Sequence, residues 1–117
     1  MRPEDRDPAY LWDMLEAAHQ VREFTEGTTM EGFLGDRKLQ LAVERCVEII
    51  GEAARRISET LKAAIPHVPW RDIVAQRNVL AHDYGEIRQD RMWAVATEGI
   101  PALIPLLESL LPPLPTT

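Results

Sequence analysis

Between Asp36 and the Pro66-His67-Val68-Pro69 break, apolar side chains recur at Leu39, Val43, Cys46, Val47, Ile50, Ala53, Ala54, Ile57 and Leu61. Steps of three and four residues are the period of an α-helix, and they leave no two-residue alternation from which to build a strand. A stripe of about seven turns drifts around its helix, so it needs several apolar partners along its length. This one segment commits the chain to helix-on-helix packing. Gly51 sits inside it, where a glycine costs about 1 kcal/mol relative to alanine. Close approach of another helix backbone at that point would account for the choice.

The rest of the chain supplies the partners. Asp7-Pro8 reads as an N-cap followed by proline at the first helical position. From there Leu11, Met14, Leu15, Ala18 and Val21 form a helical stripe that ends near Phe24–Glu26. The segment 27–35 carries three glycines and two threonines, as a loop does. Asp36 caps the long second helix. A third helix is expected from Pro69 or Trp70 to about His82–Tyr84, with Gly85 as its stop. The last runs from Gln89 or Asp90 to about Leu111, and Pro101 and Pro105 should kink or divide it. The polar segment 1–6 should fray, and the proline-rich tail 112–117 should not pack. With no internal repeat and no long linker, the expectation is a single domain, residues 1–117 with a core of about 8–111. Its class is all-α, an up-down bundle of four or five helices.

Bulk properties narrow the function. At 117 residues a chain buries roughly two thirds of its unfolded surface, enough for one core. There are 13 Lys+Arg against 19 Asp+Glu, a formal charge of -6. That is the wrong overall sign for broad attraction to nucleic acid, so an RNA-directed role would need a local cationic site. Cys46 is the only cysteine, which excludes an internal disulfide, and no Cys/His spacing suggests zinc. With Val47 and Ile49 nearby it reads as a buried thiol. The first eight residues lack an apolar signal region, and no apolar run reaches the length of a membrane span. The chain is therefore expected to be cytoplasmic, with no membrane partner.

One segment carries chemistry: Arg77-Asn78-Val79-Leu80-Ala81-His82-Asp83-Tyr84. A cation, an amide, an imidazole and a phenol fall within eight residues at the end of a predicted helix. Asn78 and His82 lie one turn apart on one face, and Arg77 and Tyr84 share another. Arg77 and His82 are five residues apart, which a regular helix separates by about 140°. For both to reach one phosphate, the helix must loosen near His82 or the site must be shared by two chains across a two-fold axis. A guanidinium offers a permanently charged fork matched to phosphate oxygens. Imidazole exchanges a proton near neutrality. Together they suffice for metal-free cleavage of RNA, in which the 2′-OH attacks the adjacent phosphate.

The string RNVLAHDY resembles the Arg-polar-spacer-His-x-Tyr motif of HEPN domains in its HepT-like form. The approach Pro69-Trp70-Arg71-Asp72-Ile73, the later Trp93, the stretch Glu98-Gly99-Ile100-Pro101-Ala102-Leu103 and the run from Glu44 to Ala54 are similar to the same family. The likeness covers about residues 8–110. It departs after the motif, where Gly85-Glu86-Ile87-Arg88 replaces the family's aromatic-Gly-aliphatic-Asp and shifts the helix cap to Gln89 or Asp90. The resemblance implies a HEPN-type bundle acting as a homodimer. It implies a metal-independent endoribonuclease toxin, with Arg77 and His82 catalytic and RNA as substrate. It also implies neutralisation by a nucleotidyltransferase antitoxin of the minimal (MNT) type, which transfers AMP to the motif tyrosine, here Tyr84. No cofactor and no metal are implied.

Among the other residues, Asn78 is expected to orient His82 or cap a carbonyl, and Asp83 either tunes His82 or is solvated. Trp70 and Trp93 suit packing better than RNA stacking. His19 and His67 read as surface groups. Glu44, Glu48 and Glu52 recur at helical spacing, as a solvated or arginine-paired face does more often than a metal site. The alternative to an enzyme is a non-catalytic helical module that binds nucleotide or a nucleotidyltransferase, a role to which the acidic charge is kinder.

Overall fold

The computed structural model describes residues 2–82 and 87–111, apart from the side chains at positions 3, 79, 81 and 82. Among these residues every regular element is helical. A 3-10 turn (Pro3–Arg6) leads into α1 (Asp7–Thr25), followed by α2 (Met30–Leu34), α3 (Arg37–Arg56) and α4 (Glu59–Ala64). Then come α5 (Trp70–His82), α6 (Gln89–Ala94), a π-helical turn (Val95–Gly99) and α7 (Ile100–Leu110). The extents are 45 × 37 × 22 Å, and the shortest is that of two helix layers, each about 10–12 Å thick. The long helix α3 lies at the centre, against α1 on one side and α5 on the other, and α7 closes on α1. The core holds Met14, Ala18 and Val21 of α1, Val43, Val47 and Ile50 of α3, and Leu103, Ile104 and Leu107 of α7. The all-α bundle with four longer helices is therefore as expected.

Several details differ from the sequence expectations, each for a local reason. The long second helix does not continue to Leu61. It stops at Arg56, Ile57 turns extended, and Ser58 starts α4 by accepting a hydrogen bond from the Leu61 amide at 3.1 Å. Asp7, expected to cap α1, instead lies in its first turn and reaches across to this break. Its carboxylate accepts from the Ser58 amide at 2.9 Å and the Ser58 hydroxyl at 2.6 Å. A buried carboxylate with two donors is stable there because both of its oxygens are satisfied. The N-terminal segment forms a 3-10 turn rather than fraying from Pro3 on. The glycine-rich loop contains the short helix α2, capped by Thr29, which drives Phe33 fully into the core. Phe33 meets Trp93 at 5.2 Å between ring centroids.

Other expectations hold. Asp36 caps α3 by accepting from the Leu39 amide at 3.1 Å. The last helical stretch is divided ahead of Pro101, where the π turn widens the ladder. Proline lacks an amide proton and its ring crowds the carbonyl four residues back, here that of Thr97, so the wider turn relieves the conflict. α6 starts at Gln89 as expected, but its N-cap is Arg88, which makes no side-chain capping bond, so the cap itself does not shift to Gln89 or Asp90. Cys46 is buried, and burial pushes its thiol pKa up. Among the described residues, no helix is long and apolar enough to cross a membrane. The tail 112–117 lies outside the described residues.

Candidate active site

Gly51 explains how the site is built. A Cβ added there would overlap the Cβ of Arg77 and stand 3.1 Å from the carbonyl oxygen of Ile73. Only glycine lets α5 come this close to α3. The approach puts the root of Arg77 directly on the α3 backbone, one residue from Glu52.

Glu52 is the hub of the charges around it. Its Oε1 accepts from Arg55 Nη2 at 2.9 Å and from Arg56 Nε at 3.0 Å. Its Oε2 stands 3.1 Å from Arg77 Nη2, although no well-aligned hydrogen bond reaches that oxygen. Arg77 is thus held on this side by charge more than by a directed bond. The hydrogen bonds from Arg55 and then Arg56, with the field of Arg77 added, bring the Glu52 pKa down from 4.5 to about 2. The carboxylate is ionised at any physiological pH.

On its other side Arg77 donates to Asn78 Oδ1 at 3.2 Å. Asn78 therefore touches Arg77; its expected relation to His82 involves a side chain outside those described. The Arg77 side chain remains 27% exposed and lines a cleft of about 350 Å³. Tyr10 and Asp13 of α1 and Arg45, Glu48, Ile49, Ala53 and Arg56 of α3 share that cleft.

His82 is the last residue of α5, and the backbone from Trp70 to His82 is helical. Position 82 consequently lies about 140° around the helix from position 77. Asp83 and Tyr84 lie outside the described residues. The carboxylates on the α3 face are arginine-paired. Glu44 is 3.2 Å from Arg37 Nη1 and accepts from Gln89 Nε2 at 2.8 Å, and Glu48 faces Arg45 at 4.0 Å. Among the described residues, no cluster of acidic, His or Cys side chains has the makings of a metal site. Trp70 is buried and donates its indole N–H to Ile65 O at 3.0 Å, a packing role, while His19 and His67 are exposed.

A family model described as "Ribonuclease HepT-like" matches residues 14–110. The chain belongs to the ribonuclease HepT-like family. Its sequence is 40% identical over 101 residues to the probable ribonuclease HepT of Thermococcus cleftensis, covering 86% of this chain and 92% of that one. It is 38% identical over 95 residues to a candidate RNase of Methanocaldococcus jannaschii, covering 81% and 87%. A second candidate RNase of that organism is 34% identical over 103 residues, covering 88% and 85%. No solved structure matches the chain.

Membership in the HepT-like family gives the motif residues their context, but the neighbours of Arg77 come from elsewhere in the chain. Tyr10, Asp13, Arg45 and Arg56 were not singled out from the sequence, because they belong to α1 and α3 and only packing brings them to α5. One signal was available: Arg45, Glu48, Glu52 and Arg56 follow a helical period on the face of α3 opposite its core stripe.

Proposed function

We propose that this HepT-like protein is a metal-independent endoribonuclease in which Arg77 binds and stabilises the reacting phosphate and His82 moves the proton. The observation that carries this reading is the placement of Arg77. It is fixed at its root by the Gly51 contact, pre-oriented by Glu52 and Asn78, and still presents donors to an open cleft. In the reaction the ribose 2′-oxygen forms a bond to phosphorus, and the bond to the 5′-oxygen breaks. The imidazole takes the 2′-OH proton and, as imidazolium, delivers it to the leaving 5′-oxygen. The guanidinium bears the charge that builds on the non-bridging oxygens.

Within one regular helix, positions 77 and 82 diverge by about 140°. A homodimer with α5 beside the two-fold axis brings Arg77 of one copy toward His82 of the other, which supports the shared site over a loosened helix. Asp83 would tune the imidazole. The toxin role, an MNT-type nucleotidyltransferase antitoxin and AMP transfer to Tyr84 complete the proposal. A bulky anion on Tyr84, seven residues and two turns from Arg77, would compete with RNA for that guanidinium.

The test is degradation of RNA by purified protein in excess EDTA. Wild type should cut, and Arg77→Ala and His82→Ala should each lose activity by a factor of about 100 or more. Undiminished cutting by both variants would refute the assignment. The second reading, a non-catalytic binding module, keeps one supporting observation, the net charge of -6. It predicts intact RNA in every lane.

A further inference from the structure

The cleft beside Arg77 continues as a groove whose floor is the polar face of α3. Arg45, Glu48, Glu52 and Arg56 lie along that floor, the α1 side carries Tyr10 and Asp13, and Arg77 stands on the α5 side. From Arg45 to Arg56 the helix rises about 16 Å. That length spans about four to five phosphates at the roughly 3.4 Å spacing of a stacked strand, and fewer of an extended one.

Charge and exposure along the groove are uneven. Arg45, Arg56 and Arg77 line it against Asp13, Glu48 and Glu52, a balance of zero in a chain of net charge -6, and Arg55 adds a further guanidinium on Glu52 just outside the lining. Three of these guanidiniums share the single carboxylate of Glu52, which leaves each with donors that the carboxylate does not use. Arg45 is 70% exposed and stands 4.0 Å from its only described carboxylate partner, Glu48. Tyr10 is half-buried beside Arg56, whose charge its hydroxyl supports. A partly seated phenol ring next to exposed guanidiniums is how proteins hold an unpaired base and its phosphates. A duplex cannot offer its base faces to such a ring.

We infer that this groove is a substrate subsite for single-stranded RNA, in which Tyr10 stacks one base and Arg45 and Arg56 hold phosphates flanking the one at Arg77. The occupant is RNA because the neighbouring site is read as a ribonuclease centre, and in that respect the inference rests on the proposed function. Asp13 has a role in it as well. Standing on the α1 side, it repels phosphates placed toward α1 and so keeps the strand over α3.

The test compares a single-stranded hexanucleotide with a dinucleotide that spans only the scissile phosphate. Binding is measured by fluorescence anisotropy of full-length His82→Ala protein, and cleavage with His82 intact. Tyr10→Ala and Arg45→Ala should each weaken hexanucleotide binding about tenfold and leave dinucleotide cleavage unchanged. Arg45→Ala should also lower the salt slope of hexanucleotide binding by about 0.7. Tyr10→Phe and Arg45→Lys keep the ring and the charge, so near-normal binding by these two shows that the losses are not unfolding. Equal losses on both substrates, or none on the hexanucleotide, overturn the subsite. If wild type cuts nothing while Tyr10→Ala and Arg45→Ala still weaken binding, the ribonuclease reading falls and the groove stands. If wild type cuts and the variants bind like wild type, the groove falls and the ribonuclease reading stands.

Discussion

The proposed role gives Arg77 two tasks that pull against each other: it must be held still, and it must keep donors for a substrate. Glu52 and Asn78 hold it from one side and the cleft receives the other. A lysine at this position keeps the charge but loses the planar fork. Arg77→Lys should therefore retain RNA binding and still lose kcat by a factor on the order of 100. Glu52→Gln removes the ionic hold without changing size. Turnover should fall by roughly 10- to 100-fold through misplacement of the guanidinium, with KM nearly constant. Stability should respond to pH in a defined window. The folded-state pKa of Glu52 is depressed from 4.5 to about 2, so its ion pairs stabilise the fold fully above the unfolded value. They are lost as pH falls through the folded one. The melting temperature of wild type should exceed that of Glu52→Gln at pH 7, and the gap should close between about pH 4.5 and 2. A gap that persists at pH 2 contradicts the ion-pair account. The motif residues could be read in the sequence because they are neighbours in the chain. Glu52 was readable only as an arginine-paired face, since its third partner comes from another helix.

Among the elements, the α3–α5 contact decides the site, and Gly51 decides the contact. Alanine there should gain about 1 kcal/mol of helix propensity. Its methyl group, however, has to enter space held by Arg77 Cβ, and such overpacking costs typically about 1–3 kcal/mol. The second effect wins, so Gly51→Ala should lower the urea midpoint and move Arg77 with it. A more stable Gly51→Ala protein would contradict the close approach. The α3–α4 break makes a separate prediction. Asp7→Ala leaves the buried amide and hydroxyl of Ser58 without their acceptor, a loss of about 1–3 kcal/mol readable by calorimetry. The apolar stripe made α3 legible but hid its end. Ile57 and Leu61 keep the period of three and four, and the signal that stops the helix is the long-range bond to Asp7, 51 residues away. Phe33 hid α2 in the same way: glycines and threonines announced a loop, while the burial of one aromatic ring outweighed them.

At the scale of the whole molecule, the acidic chain and the arginine-bearing groove are reconciled by locality. The net charge keeps RNA at a distance except where four arginines gather. The proposed mechanism calls for two copies because a helix unbroken from Trp70 to His82 turns positions 77 and 82 apart. The central claim is that Arg77 of one copy and His82 of another act on one phosphodiester, and mixing two inactive proteins tests it most directly. Arg77→Ala and His82→Ala proteins, unfolded together and refolded as a mixture, form hybrid dimers in which one of the two composite sites is intact. RNA cleavage in EDTA should return to about a quarter of the wild-type rate, since half the dimers are hybrids and each has one working site. A mixture that remains as inactive as its components would contradict it.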